Sequence, residues 1–325
     1  MSDIVRVPRA EALPAALRGG VVAVGNFDGV HRGHRAVLDA AREKASELGV
    51  PVVCLTFEPH PRTVFAPDQP VIRLTPAAMK ARLLAALGFD AVVEQPFDEA
   101  FASLTAEAFV DRVLVEALGA RHVVIGFDFH FGARRSGTPD FLIERGAAKG
   151  FGVTRIDAFF DEGGATISSS RVRDRLAAGE VAEAAGLLGY RWTIEATVMP
   201  GQQLGRTLGY PTANMELGPE RLLKQGVYAV RYRRSDGGLF DGVASYGRRP
   251  TFDNGAVLFE THLFDFAGDL YGETAHVSLF GYLRGEEKFD GAAELIAQMD
   301  RDAEEARALL AGARPLSELD AAIAF

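Results

Sequence analysis

The segment GNFDGVHRGH, Gly25 to His34, follows four residues of strand character, Val21 to Val24, and leads into a helical pattern reaching from about Gly33 to Leu48. A strand-to-helix turn of this kind points several backbone N–H groups and the positive end of a helix at one place, which suits an anion. Gly25, Gly29 and Gly33 allow a sharp turn and close approach to a ligand, and His31 and His34 offer hydrogen bonds to phosphate oxygens. Transfer at phosphorus needs fixed donors around developing charge and little covalent help from the protein. The segment has neither the Gly-Lys-Ser/Thr of a P-loop nor a Gly-x-Gly-x-x-Gly dinucleotide fingerprint. Its place between strand and helix favours a nucleotide-phosphate site over a glycine-rich turn with two incidental histidines.

Outward from this turn, short β-branched runs alternate with helical patterns, the signature of a doubly wound α/β domain with a parallel sheet. Strands are expected at Val21 to Val24, Val52 to Thr56, Ala91 to Glu94, His122 to Ile125 and Val153 to Asp157. Helices are expected at Gly33 to Leu48, Pro76 to Leu87, Ala106 to Leu118 and Pro139 to Lys149, with Thr75 and Thr105 as N-caps. Two short helices follow, Arg171 to Ala178 and Val181 to Leu188, and near residue 187 the pattern changes. Trp192 to Met199, Val227 to Arg233, Gly242 to Tyr246, Val257 to Leu263 and His276 to Tyr282 read as strands without helices between them, an antiparallel sheet or small barrel. One amphipathic helix, Gly291 to Ala311, closes the chain, with Asp290 as its N-cap. The expected domains are therefore 1–186 and 187–325.

The 325 residues suffice for two cores, and 48% hydrophobic with 24% charged residues is an ordinary globular balance. A net charge of -9 argues against gripping nucleic acid, while small anions need only a local cluster of donors. The single cysteine, Cys54, sits in an apolar strand and reads as packed thiol. No apolar run reaches membrane-spanning length and no signal-peptide core is visible, so a cytoplasmic protein without membrane attachment is expected; self-association is left open.

A second constellation, GQQLGRTLGYPTAN, spans Gly201 to Asn214. Its glycines and Arg206 can wrap phosphates, and if Pro211 to Asn214 is extended, Thr212 and Asn214 share a face from which two oxygens reach a hard cation. The same residues also fit a Gly/Pro loop between strands. Leu258, Glu260 and His262 alternate onto one face of their strand, where a carboxylate can take a proton from a hydroxyl attacking phosphorus; an edge salt bridge is the other reading.

The His31-x-Gly33-His34 spacing resembles the signature of the nucleotidyltransferase superfamily, and GNFDGVHRGH resembles bacterial bifunctional riboflavin kinase/FAD synthetases. FEPHPR (Phe57 to Arg62), GFDFHFG (Gly126 to Gly132) and ISSSRVR (Ile167 to Arg173) continue the resemblance. So do GRTLGYPTAN, GVYAV (Gly226 to Val230), GVASYGRRPTF (Gly242 to Phe252), FETHLFDF (Phe259 to Phe266), LYG (Leu270 to Gly272) and LRGEEKF (Leu283 to Phe289). The resemblance implies an HxGH-type α/β domain followed by a six-stranded antiparallel barrel with a closing helix. It implies that His31 and His34 contact ATP phosphates, with Gly25, Asn26, Phe27, Gly33 and Asp128 around them. Ser169, Ser170 and Arg173 then match a phosphate loop opening a helix, although a Ser N-cap fits too. Phe57, Pro59 and Arg62 follow a strand end, where ligands of open α/β sheets bind, so they read either as a flavin or phosphate contact or as a Pro-rich structural turn. In the second domain Gly201, Gly205, Arg206, Gly209, Tyr210 and Pro211 would hold ATP phosphates, Thr212 and Asn214 Mg²⁺, and Glu260 would be the base. Ser245 departs from the Asn common in the family. The implied reactions are riboflavin plus ATP to FMN, and FMN plus ATP to FAD, so the expected partners are ATP, riboflavin, FMN and Mg²⁺.

Overall fold

The computed structural model of the chain describes residues 4–201, 209–217, 222–248 and 257–325. It falls into two compact units, Met1–Ser169 and Ser170–Phe325.

The first unit is built on six parallel strands: β1 (Val5–Val7), β2 (Val21–Val24), β3 (Val52–Glu58), β4 (Ala91–Pro96), β5 (His122–Gly126) and β6 (Gly152–Ile156). Their order is β1-β4-β3-β2-β5-β6, so the chain steps from β2 to β3 on one side and later to β5 on the other. Crevices at such a reversal, at the carboxyl ends of the strands, are where open α/β sheets bind ligands. β2 is buried throughout, and most of β3, Cys54 included, is buried as well. Burial pushes the Cys54 thiol up to about 12, so it stays a packed, protonated group.

The five strands and four helices expected here are present. β1 was not expected, because three residues are too few to show an alternation; it pairs in parallel with β4 through Val5↔Ala91 and Val7↔Val93. The helix expected at Ala106–Leu118 forms with Thr105 as its cap, but from Phe109 to Ala117 it has wide π-type turns. Thr75 is not a cap. The helix Ala77–Ala86 has Pro76 at that position with no capping side chain, and the Thr75 hydroxyl is used elsewhere.

In the second unit the helices Ser169–Ala178 and Val181–Leu188 precede six antiparallel strands: β7 (Thr193–Met199), β8 (Ala213–Glu216), β9 (Gly226–Arg233), β10 (Leu239–Arg248), β11 (Val257–Leu263) and β12 (Thr274–Arg284). They close into a barrel in the order β10-β11-β8-β7-β12-β9. β8 is the strand that sequence patterning missed, since four residues, Ala-Asn-Met-Glu, carry no β-branched signal. Its register sets the core: Val198, Met215, Phe259 and Tyr246 are successive cross-strand partners, all almost fully buried. The helix Ala292–Gly312 packs on β9, β10 and β12, and Arg284 binds Asp302 on it through two bonds of 2.8 and 2.7 Å. Its cap is Gly291, not Asp290, whose N–H instead donates to Glu294. A second short helix, Glu318–Ala324, follows, fastened by Asp320 to the backbone and guanidinium of Arg191.

Candidate functional site

At the edge of the parallel sheet, adjacent strands β3, β2 and β5 deliver three predicted segments side by side: Phe57–Arg62, Gly25–His34 and Gly126–Gly132. The central turn is forced into an uncommon shape, with positive φ at Phe27 (47°), Gly29 (89°) and Val30 (41°). For a β-branched residue such as Val30 this is a clear outlier, of the kind that clusters at ligand sites. Gly25 leaves room for the Phe27 ring, since a Cβ there would lie 2.9 Å from it and force it to shift.

His31 caps the helix Arg32–Leu48, its Nδ1 accepting the His34 N–H at 3.2 Å. The two imidazoles stack with centroids 3.6 Å apart, and Phe27 meets His34 edge-on at 5.4 Å. Burial first, then the neighbouring His31 and Lys80, hold His34 well below the usual histidine range, so it works as a neutral ring. Its Nδ1 is buried with no partner among the described residues. Gly33 lies against the His31 ring. Asp128 stands exposed just beyond β5, and the Ser169 hydroxyl donates to the Asp28 carbonyl at 2.8 Å. Ser170 and Arg173 are an i,i+3 pair on the helix Ser169–Ala178. Phe57 is a core residue packed on Phe97 and Phe101, whereas Pro59 and Arg62 are exposed at the sheet edge.

Sequence reasoning missed what lies under the turn. Asp28, 2% exposed, accepts from the N–H groups of Leu74 (2.9 Å) and Thr75 (3.1 Å), while the Thr75 hydroxyl accepts from Gly29 N–H at 2.9 Å. Lys80, 1% exposed, reaches up from its helix to the Asn26 carbonyl (2.9 Å), the Thr56 hydroxyl (2.9 Å) and Glu58 (3.2 Å). Burial opposes charge on Glu58, but Arg73 and Lys80 outweigh it and hold its carboxyl below the usual range. Asp28 stood within the quoted motif as an available signal. Lys80 had none, since a lysine in AAMKARLLAA reads as a solvated helix position.

On the barrel, antiparallel register lines up Met199, Asn214, Glu260 and Ser245 as successive partners on the face opposite the Phe259 core row. Directly opposed side chains sit about 5 Å apart at Cβ, which puts the expected cation ligand Asn214 beside the expected base Glu260. Asn214 is buried, and a Cβ on Gly201 would lie 2.1 Å from its Nδ2, so any larger residue there would force the Asn214 side chain to move. Tyr210 packs on His262 at 4.9 Å and donates its hydroxyl to Asp300; the ring nitrogen of His262 is 2.9 Å from the Pro211 carbonyl. Burial and then Asp300 push Tyr210 up to about 12, keeping it a donor. A cavity of about 290 Å³ opens beside Pro211 and Thr212, walled by Val198, Leu263, Phe266, Leu270 and Tyr271. Gly209 has φ +86°, and Gly205 and Arg206 lie outside the described residues. No cluster of three or more His, Cys, Asp or Glu able to hold a metal occurs among the described residues. A cation at Thr212 and Asn214 would therefore rest on neutral oxygens plus phosphate oxygens, a donor set that fits Mg²⁺.

The FAD synthetase family model matches residues 13–171 and the riboflavin kinase model residues 188–310. The two halves thus define a two-domain class in which an α/β FAD-synthetase unit precedes a riboflavin-kinase barrel. The bifunctional riboflavin kinase/FMN adenylyltransferase of Pseudomonas fluorescens is 43% identical over 90% of this chain and 94% of that protein. Its namesake in Escherichia coli K12 is 42% identical over 93% and 96%. A solved Streptococcus pneumoniae structure, described as a macrolide-efflux protein, superposes with a TM-score of 0.82 at 31% identity, covering 94% of this chain and 99% of that one. No helix among the described residues here is long and apolar enough to cross a membrane. The chain belongs to the bifunctional riboflavin kinase/FMN adenylyltransferase family.

Proposed function

We propose that the barrel unit phosphorylates riboflavin with ATP to give FMN and ADP, and that the α/β unit joins FMN to ATP to give FAD and pyrophosphate. The assignment is supported by two family matches in one chain, each containing a candidate phosphate site: the strained His31/His34 turn in one unit, the Asn214–Glu260 row in the other.

In the barrel, Glu260 accepts the proton of the ribityl 5′-hydroxyl as its oxygen attacks the γ-phosphorus, and ADP leaves. Thr212 and Asn214 hold Mg²⁺, which when bound neutralises phosphate charge. Gly201, Gly205, Arg206, Gly209, Tyr210 and Pro211 bind the ATP phosphates, and the cavity beside Pro211, lined by apolar and polar groups alike, takes the adenine ring. In the α/β unit the turn N–H groups with His31 and the neutral His34 donate to ATP phosphates as the FMN phosphate oxygen attacks the α-phosphorus and pyrophosphate departs. Gly25, Asn26, Phe27 and Gly33 form the turn, and Asp128 and Ser169 complete the phosphate surroundings on this unit. Pro59 and Arg62, exposed at the same sheet edge, contact the flavin nucleotide on this reading. The working domains are 1–186 and 187–325, with ATP, riboflavin and FMN as small-molecule partners in the cytoplasm.

The test is chromatographic. Purified chain with Mg²⁺ and ATP should convert riboflavin to FMN and supplied FMN to FAD. Absence of FMN while another acceptor is adenylylated would refute the kinase assignment.

A further inference from the structure

The phosphate turn holds left-handed conformations at two residues with side chains, Phe27 and Val30, and such a shape persists only where the surroundings over-determine it. Asp28 supplies one anchor by accepting from Leu74 and Thr75. The other is the Asn26 carbonyl, which accepts both from the Lys80 ammonium at 2.9 Å and from the Thr56 hydroxyl at 3.0 Å. An ammonium has three N–H donors, and Lys80 meets three acceptors, Asn26, Thr56 and Glu58. In a planar trans peptide the carbonyl and the following N–H point in opposite directions. Fixing the Asn26 carbonyl toward Lys80 therefore aims the Phe27 N–H the other way, and sets the plane from which Phe27 enters its left-handed turn.

We infer that Lys80 is a positioning residue for adenylyl transfer: together with Thr56 it locks the Asn26 carbonyl and so presents the turn's N–H groups to the phosphates without touching substrate. Glu58, braced by Arg73, keeps the ammonium in place. A mere buried ion pair would need only Glu58; the two bonds converging on one carbonyl of the phosphate turn are what tie Lys80 to the reaction. The inference rests on the reading of this turn as the FAD-forming site.

The test is a double-mutant cycle in the full chain, comparing Lys80→Met, Thr56→Val and the pair, with FAD formation followed at varied FMN and ATP and folding followed by thermal melting. Misplacing a reacting geometry by about 1 Å costs about 100-fold in rate, so Lys80→Met should lower kcat about 100-fold and Thr56→Val about 10-fold, with KM for FMN moved less than about threefold. Because both act on one carbonyl, the double variant should be no worse than about threefold below Lys80→Met. A stabilising role alone would lower the melting temperature and leave kcat of the folded protein unchanged. Folded Lys80→Met with kcat within about threefold of wild type, or losses in the double variant that simply multiply, overturns the inference. Should Lys80→Met fail to fold, Thr56→Val decides, and an unchanged kcat there overturns it. A wild-type chain that makes no FAD from FMN and ATP defeats the underlying reading, whereas active wild type with indifferent variants defeats only the role of Lys80.

Discussion

At the edge of the parallel sheet the chain aims backbone groups, through a strained turn held by buried Asp28 and Lys80, whereas on the barrel it aims side chains, Asn214 and Glu260, through cross-strand register. Parallel strands end together at one edge and leave their loops to be braced from below, so that site depends on residues that never meet substrate. An antiparallel barrel places neighbours by pairing alone, so its site depends on which Cβ atoms share a face and on glycines that let them approach. The two sites should accordingly fail in different ways.

The largest effect expected is a double dissociation. Glu260→Gln should cut FMN formation by about 10³-fold and His34→Ala should cut FAD formation by about 10²- to 10³-fold, each leaving the other reaction within about threefold. Product assays on riboflavin and on FMN check this, and loss of both activities in either folded variant would break the assignment of one site to each unit. Next, Asp28→Ala strips the acceptor from two buried N–H groups and should destabilise the α/β unit by about 3 kcal/mol, read as a lower denaturation midpoint. Its counterpart on the barrel is Gly201→Ala, which should disturb no core but displace Asn214, lowering riboflavin phosphorylation about 10²-fold at nearly unchanged stability.

Acid should also separate the units. His34 is held below its ordinary 6.5, so as pH falls through that value the unfolded chain binds a proton that the folded unit resists, and stability is lost. Glu58, held below its ordinary 4.5, is a stabilising carboxylate whose contribution disappears as pH falls through that value and on toward its lowered folded one. Melting of the isotopically labelled chain, followed unit by unit, should show the α/β midpoint falling from about pH 6.5 downward; a flat profile would contradict the burial of the neutral ring. The smallest effect lies inside the barrel, where the Thr261 hydroxyl is buried without a partner among the described residues. Thr261→Val should raise barrel stability by about 1 kcal/mol, measured by denaturant titration.

Much of this was legible in the chain. Apolar runs flanked by helical periodicity reported β2 to β6, and GNFDGVHRGH reported the strand-to-helix turn because glycine and a strand-to-helix junction act locally. β1 and β8 escaped because strands of three or four residues gain their stability from partners, not from their own pattern. Thr75 looked like a cap and proved to be a clasp for Gly29, since a hydroxyl before a proline-started helix satisfies whichever N–H the fold brings nearest.

Sequence by itself determined the two-domain order, the class of each fold, and which residue types could handle phosphate, because these follow from periodicity and from the chemistry of single side chains. Only the tertiary structure decided that Lys80 lies beneath Asn26, that Asp28 binds the Leu74–Thr75 backbone, and that Asn214 faces Glu260 across a ladder. Those juxtapositions join residues 46 to 54 positions apart, and burial of a charge or alignment of two strands exists only once the chain has folded around it.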